Sequence, residues 1–363
     1  MSPDSMNGTA GTSQFNEPLR GCPLSSLIWD ASLLRNSEDY VAAYNTSTPV
    51  SSVDIFLSHA WSDSGWWKQA ALLTCCSSAM PYKVMVTSSI VAAWLCWYIS
   101  YDLYRLLVLL IGIFSFIGST ITLSLFKHRN TTVFLDKCCI NQSDFAAKKR
   151  GISRLSDYLR VSNKLVVLWT PSYLDRLWCV YELAVFMRTH DKKDVIILNL
   201  RHVKLCLWLM VIKLLDIVSF YAFQAYFGRQ FHPSGYGSWI CIVTSILVGH
   251  QAFGCFEDWI IFSSKLNSFS VSDAKCTSPD DYTKLKDLIT ELYGSEDHFA
   301  ARVRGLCLNS ADEKPAPLWL LSRDSLRICS VAYTVYLLSL VVLLYRYSTF
   351  TKERQLQQRK YLP

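Results

Sequence analysis

Charge is what this sequence has least of. Only 18% of its 363 residues are charged, against about 25% in a typical soluble domain, while 51% are hydrophobic. That balance excludes a disordered chain and argues against a purely soluble globule. Several short motifs are also missing. There is no G-x-G-x-x-G run and no G-K-S or G-K-T run, so neither a Rossmann phosphate loop nor a P-loop is expected. Without a G-x-S-x-G elbow a serine nucleophile has no support. The 13 cysteines form no C-x-x-C pair and show no metal-ligand spacing. Residues 1–26 contain no apolar core of a targeting signal, so insertion into a bilayer would rely on internal segments.

What is present is a series of long apolar runs. Val84–Ser100 is apolar and aromatic, and Leu106–Phe126 carries no charge at all. As a helix the second run reaches about 31 Å, enough to cross the hydrocarbon core. The pair, 84–126, reads as a transmembrane hairpin. A second apolar block spans 203–262, with Val203–Phe227 and Trp239–Phe253 as its cores. Lys213 and Asp216 lie three apart on one helix face of that block and can neutralise each other, as an intrahelical pair in a tilted or interfacial helix or as an ion or proton site. A last span is expected over 326–346, followed by a basic tail, 347–363. The net charge of +7 falls mainly at the ends of these runs, not on one face, which argues for a bilayer as partner and against nucleic acid. Lys83, Lys127, Arg129, Arg201, Lys204 and Lys265 place the flanking segments in the cytoplasm. Five spans would put the basic tail outside, against the same rule, so either one segment of 203–262 does not cross or the tail departs from the rule. The doublets Cys75–Cys76 and Cys138–Cys139 read as reduced cytosolic thiols, with S-acylation of the first pair as the alternative.

Between these runs lie short segments rich in Val, Ile, Leu and Phe: Ser52–Ser58, Thr131–Asp136, Lys164–Trp169 and Asp194–Leu200. Helical patterns separate them, over Trp66–Leu73, around Ile152, Leu155 and Leu159, and over Leu177–Met187. Strands alternating with helices predict a parallel α/β sheet. Because a hairpin returns to its own side, segments 51–80 and 130–202 can meet in one split cytoplasmic domain. Residues 1–50 read as a mostly disordered tail with a short helix near Leu27–Leu34. Residues 263–325 read as a cytosolic helical linker, with Leu285, Leu288, Ile289 and Leu292 on one side of a helix.

Three stretches carry a family resemblance. VDIFLSHAW, TVFLDKCCINQSD and SRLSDYLRVSNKLVVLWTPSYLDRLWCVYELAVF resemble the first strand and signature box, the second strand and its loop, and the run from second to third helix of a TIR (Toll/interleukin-1 receptor) domain. The resemblance covers 53–75 and 131–200. It departs from the family's pattern at His59 and Ala60, and in the apolar hairpin that separates the first two strands. It implies a flavodoxin-like α/β fold with a parallel sheet, self-association through this domain, and association with other TIR-like proteins.

The resemblance also implies chemistry. Enzymatic TIR domains place a glutamate where Glu182 stands, one helical turn after Trp178, and cleave the nicotinamide–ribose bond of NAD. A fixed carboxylate suits that reaction because positive charge develops on the ribose. NAD would be a substrate; no cofactor or metal is expected. Ser58, His59 and Trp61 leave the first strand at its carboxyl end and Asp136 ends the second, the edge where ligands bind in open α/β sheets. With Trp178 they form the expected substrate-binding set, and Glu182 is the expected catalytic group. Asp175 is expected to cap the following helix. The segment Lys137–Arg150 corresponds to the family loop that gates the pocket or mediates assembly. The other readings are an inactive TIR-type interaction module and a channel or transporter. The few paired charges in the apolar runs speak against the last.

Overall fold

The computed structural model describes residues 18–36, 39–76, 79–95, 101–227, 233–276, 278–307 and 334. The start of the expected tail, nearly all of the last expected span and the basic C-terminal segment lie outside these residues.

In chain order the elements are β1 (Leu19–Pro23), α1 (Leu24–Trp29), α2 (Tyr40–Asn45), β2 (Thr48–Val50), β3 (Val53–His59), α3 (Gly65–Cys76), α4 (Ala79–Leu95) and α5 (Tyr101–Lys127). Then come β4 (Thr132–Phe134), α6 (Asp136–Cys139), α7 (Phe145–Ser153), α8 (Leu155–Val161), β5 (Ser162–Trp169), α9 (Leu177–Thr189) and β6 (Val195–Asn199). Four helices follow: α10 (Leu200–Phe227), α11 (Pro233–Asn267), α12 (Pro279–Tyr293) and α13 (Glu296–Cys307).

The apolar runs seen in the sequence become the sheet because a strand covered on both faces has no polar side to show. Six strands form one mixed sheet in the order β2-β1-β4-β3-β5-β6. β3 is parallel to β4 and β5, and β5 is parallel to β6. Among these four the chain visits second, first, third and fourth positions, so its direction of winding reverses at β3. β3 thus joins β4, β5 and β6 in one sheet although α3, α4 and α5 separate it from β4 in the chain. Phe56 pairs in register with Phe134, and their rings stack at 4.5 Å between centroids.

Two expectations fail. Residues 18–36 and 39–50 are not a disordered tail. β1 runs antiparallel to β4 and to β2, extending the sheet on one side. Leu24, Leu27 and Leu34 are completely buried in the core. The Arg20 side chain holds the segment closed, donating to Ser47 Oγ at 2.9 Å and lying 4.4 Å over the Tyr44 ring. Gly65 permits the fit: a Cβ there would stand 2.8 Å from the Ala31 carbonyl oxygen, so α3 starts against this segment only with glycine.

Nor is the described part of 263–325 a linker. The backbone of Lys275 bonds to both Asp175 O (2.7 Å) and Leu177 N (3.0 Å). α12 packs along α9, with Leu285 and Ile289 buried and the Tyr293 hydroxyl donating to Ala184 O at 2.9 Å. The amphipathic face read in the sequence is therefore covered by the sheet domain itself.

Behind α3, helices α4, α5 and α10 share a small core of Met85, Ile113, Phe116, Cys206 and Met210. Other apolar side chains face outward, including Trp94, Phe114 and Phe126. Among the described residues one helix segment, Leu107–Lys127, is long and apolar enough to cross a membrane. The side chains of Lys213 and Asp216 lie outside the described set.

Deleting residues 1–50 removes two strands and uncovers β4 and the core beneath α1. The deleted protein is expected to lose cooperative unfolding, and trypsin should cut within 131–200 far faster than in the full chain. Equal protease resistance would restore the tail reading.

Candidate functional site

Winding reversal opens a crevice at the carboxyl edge of a doubly wound sheet. Here that edge is formed by Ser58 and His59 at the end of β3 and by Trp169 at the end of β5, and α9 crosses behind it. α9 begins where Arg176 leaves the extended conformation, and its buried face of Leu177, Val180 and Ala184 fixes its rotation. Glu182 is thereby turned toward β3. Ser58 Oγ donates to Glu182 Oε2 at 2.5 Å and lies 2.7 Å from the Tyr173 hydroxyl. The Tyr173 hydroxyl also reaches the Cys179 carbonyl at 3.5 Å. Tyr173, Ser58 and Glu182 thus form a relay through the centre of the domain.

A pocket of about 350 Å³ opens in front of Glu182. His59, Trp61, Asp136, Trp178 and Glu182 all line it, so five of the six expected site residues converge. The sixth, Ser58, does not. Its side chain is fully buried and bonds Glu182 instead of lining the pocket. Trp61 Nε1 donates to Asp136 Oδ2 at 2.9 Å, while Asp136 Oδ1 accepts from the Lys137 backbone at 2.7 Å. Asp136 therefore fixes the indole. The His59 ring meets Trp61 edge-on at 4.4 Å. Its Nε2 is buried with no hydrogen-bond partner among the described residues. The 137–150 segment supplies a wall through Ile140, Gln142 and Lys148.

Burial dominates the electrostatics. Glu182 is pushed up to about 8 by burial and by the neighbouring Asp136, although the Ser58 bond and Arg176 pull it down. Burial raises Asp136 too, against its bonds to Trp61 and Lys137. His59 is driven well below its ordinary value, first by burial and then by Lys68, so its imidazole is neutral. Lys68 falls to about 8 by burial, resisted by Asp63 and Asp136.

Sequence reasoning missed several participants. Lys68 is fully buried; its Nζ donates to Leu34 O at 3.2 Å and sits 5.2 Å from the Trp61 ring. It lies on α3 among apolar residues, and nothing in its spacing marks it. Arg176 lines the pocket and reaches the His59 carbonyl at 3.5 Å. Asp281, from α12, lines the far side. Asp175 does not cap α9, which has no side-chain cap. It instead pairs with Lys265 of α11 at 2.5 Å. The doublet Cys138–Cys139 is buried and free, and burial pushes the Cys139 thiol up to about 12, so both are packing thiols.

Between about pH 4.5 and 8 Glu182 is protonated when folded and ionised when unfolded. Its contribution to stability is therefore full below the unfolded value and is lost as the pH rises through the folded one. Infrared difference titration should show a protonated carboxyl band at pH 7 that disappears near pH 8 and is absent in Glu182→Gln. In Ser58→Ala, which loses the bond that lowers Glu182, the transition should move upward. A wild-type protein lacking the band at pH 7 would contradict this.

No family model, curated protein or solved structure matches the chain.

Proposed function

We propose that this is a membrane-anchored, TIR-like signalling protein whose cytoplasmic domain hydrolyses NAD at the nicotinamide–ribose bond. The sheet domain is split by a transmembrane hairpin formed by α4 and α5, and α10, α11 and the 326–346 segment supply further spans. The resemblance in 53–75 and 131–200 and the apolar runs support the reading. The observation that carries it is Glu182 at the floor of an aromatic pocket, held by Ser58 and facing Arg176.

The chemistry follows from the lining. Trp61, Trp178 and neutral His59 offer flat, weakly polar surfaces for a nicotinamide ring. Arg176 and Lys148 are placed for the pyrophosphate. When the C1′–N bond breaks, its electron pair goes to the nicotinamide ring and cancels the pyridinium charge. The ribose is left cationic. Ionised Glu182 stabilises that charge and takes the proton of the water that adds to C1′. The approach of a cationic substrate favours the ionised form of Glu182. In line with the resemblance, the domain self-associates, and a bilayer raises the local concentration that favours this.

One observation favours the alternative, an inactive interaction module. The Tyr173–Ser58–Glu182 relay ties α9 to β3 and would serve the fold with no substrate present.

Membranes carrying the intact protein should consume NAD and release nicotinamide, with a rate that rises through about pH 8. Glu182→Gln should reduce turnover about a hundredfold or more, and His59→Ala should do less. Unchanged NAD loss in Glu182→Gln would reject the catalytic assignment, and no NAD loss by clustered wild-type protein would favour the interaction module.

A further inference from the structure

A second cavity, of about 470 Å³, lies on the other side of the loop that follows β3. The sheet domain contributes Asp63, Trp67 and Thr170; α10 contributes Arg201 and Lys204; α11 contributes Phe253 and Glu257. Its charges are unevenly committed. Arg201 is spoken for, forming an ion pair with Asp258 at 3.0 Å and donating to Gly254 O at 2.8 Å, with Asp258 almost wholly buried. Lys204 lies 5.6 Å from the Trp67 ring and has no carboxylate partner among the described residues. Glu257 is exposed and pairs with no cation among them. Asp63 Oδ2 is buried without a hydrogen-bond partner. The cavity therefore presents one open cation, Lys204, and one open acid, Glu257, beside Asp63, whose side chain bonds Thr170 and leaves Oδ2 free.

Its place in the chain matters as much. On α10 the charged first turns, with Arg201 and Lys204, give way to the apolar run 205–212. On α11 the apolar run Trp239–Phe253 gives way to Glu257 and Asp258. Both changes occur at the cavity. Exposed Phe253, Phe256 and Ile260 continue from it along α11. In a membrane-inserted protein this level is the headgroup region, where a ligand brings its own apolar tail.

We infer that this cavity binds a zwitterionic phospholipid headgroup that carries a phosphate and a primary amine. Lys204 meets the phosphate. Glu257 and Asp63 Oδ2 accept hydrogen bonds from the ammonium. A trimethylated amine has no N–H to donate, so an ethanolamine headgroup is preferred over choline. An anionic headgroup without an amine leaves Glu257 and the Oδ2 atom of Asp63 unanswered and is also disfavoured. The acyl chains leave along Phe253 and Phe256. The inference rests on the proposed membrane insertion and is independent of NAD chemistry.

The full chain in detergent micelles can be offered phosphatidylethanolamine, phosphatidylcholine and phosphatidylglycerol in turn, and retained lipid read by native mass spectrometry. Phosphatidylethanolamine should be retained about tenfold over the other two, the worth of one lost charged hydrogen bond. Lys204→Gln and Glu257→Gln, both at surface-accessible positions, should each cut that retention severalfold without changing the small retention of phosphatidylcholine. Soluble phosphoethanolamine should compete poorly, since it lacks the tails; strong competition would mean a free headgroup is the ligand. Equal retention of the three lipids, a preference for phosphatidylglycerol, or unchanged retention in both variants would overturn the inference. Alkaline extraction of native membranes tests insertion separately: release of the chain would remove the membrane reading, whatever the micelle experiment shows.

Discussion

Strand β3 is hydrogen-bonded along both edges, to β4 through Ile55 and Phe56 and to β5 through six residue pairs that end at His59 and Leu168. Side chains alternate along a strand, so a slip of one residue would exchange the faces of Ser58 and His59. Ser58 would leave Glu182, and His59 would leave the pocket. The stacked pair Phe56 and Phe134 and the buried run Leu165–Trp169 fix the register. The relay to Glu182, the position of Trp61 and the loop shared by both cavities all depend on this one alignment.

Around that strand the site holds its charges under tension. Lys68 and Glu182 are moved toward one another, both to about 8, because burial penalises a cation and an anion alike. Buried Asp136 adds to the pressure on Glu182, and neutral His59 offers no relief. Arg176 is the cation nearest to balancing it. Such an arrangement is common where a protein prepares groups for a ligand. Here a ligand cation would find a carboxyl group with little else to stabilise its ionised form.

The parallel strands and α9 were legible because apolar runs of four to eight residues and a helical stripe have a period that survives without context. The convergence of His59, Trp61, Asp136, Trp178 and Glu182 was legible from the edge rule and the resemblance. β1 and β2 were not: LRGCP and TPV contain Gly and Pro, have no alternation worth the name, and become strands only because β4 offers an edge to β1 and β1 offers one to β2. The role of α12 was half legible. Its apolar face was plain in Leu285 and Ile289, but a face does not name its partner, and α9 was not visible as one. Ser58 shows the same limit more finely, since its place at the strand end could be read while its direction, inward to Glu182, depends on the register of β3 against β4 and β5.

The interruption between β3 and β4 has a consequence for synthesis. β1 and β3 leave the ribosome before residues 60–131, yet both pair with β4, and β3 also needs β5. The innermost strand of the sheet is thus made early and completed late, with an apolar helix pair still to be placed in between. Such long-range pairing is slow, and an unpaired strand edge invites the wrong neighbour. Delivery of α4 and α5 to their final surroundings therefore becomes a checkpoint for the sheet: a chain whose helices are misplaced cannot bring Phe134 to Phe56, and its pocket never forms.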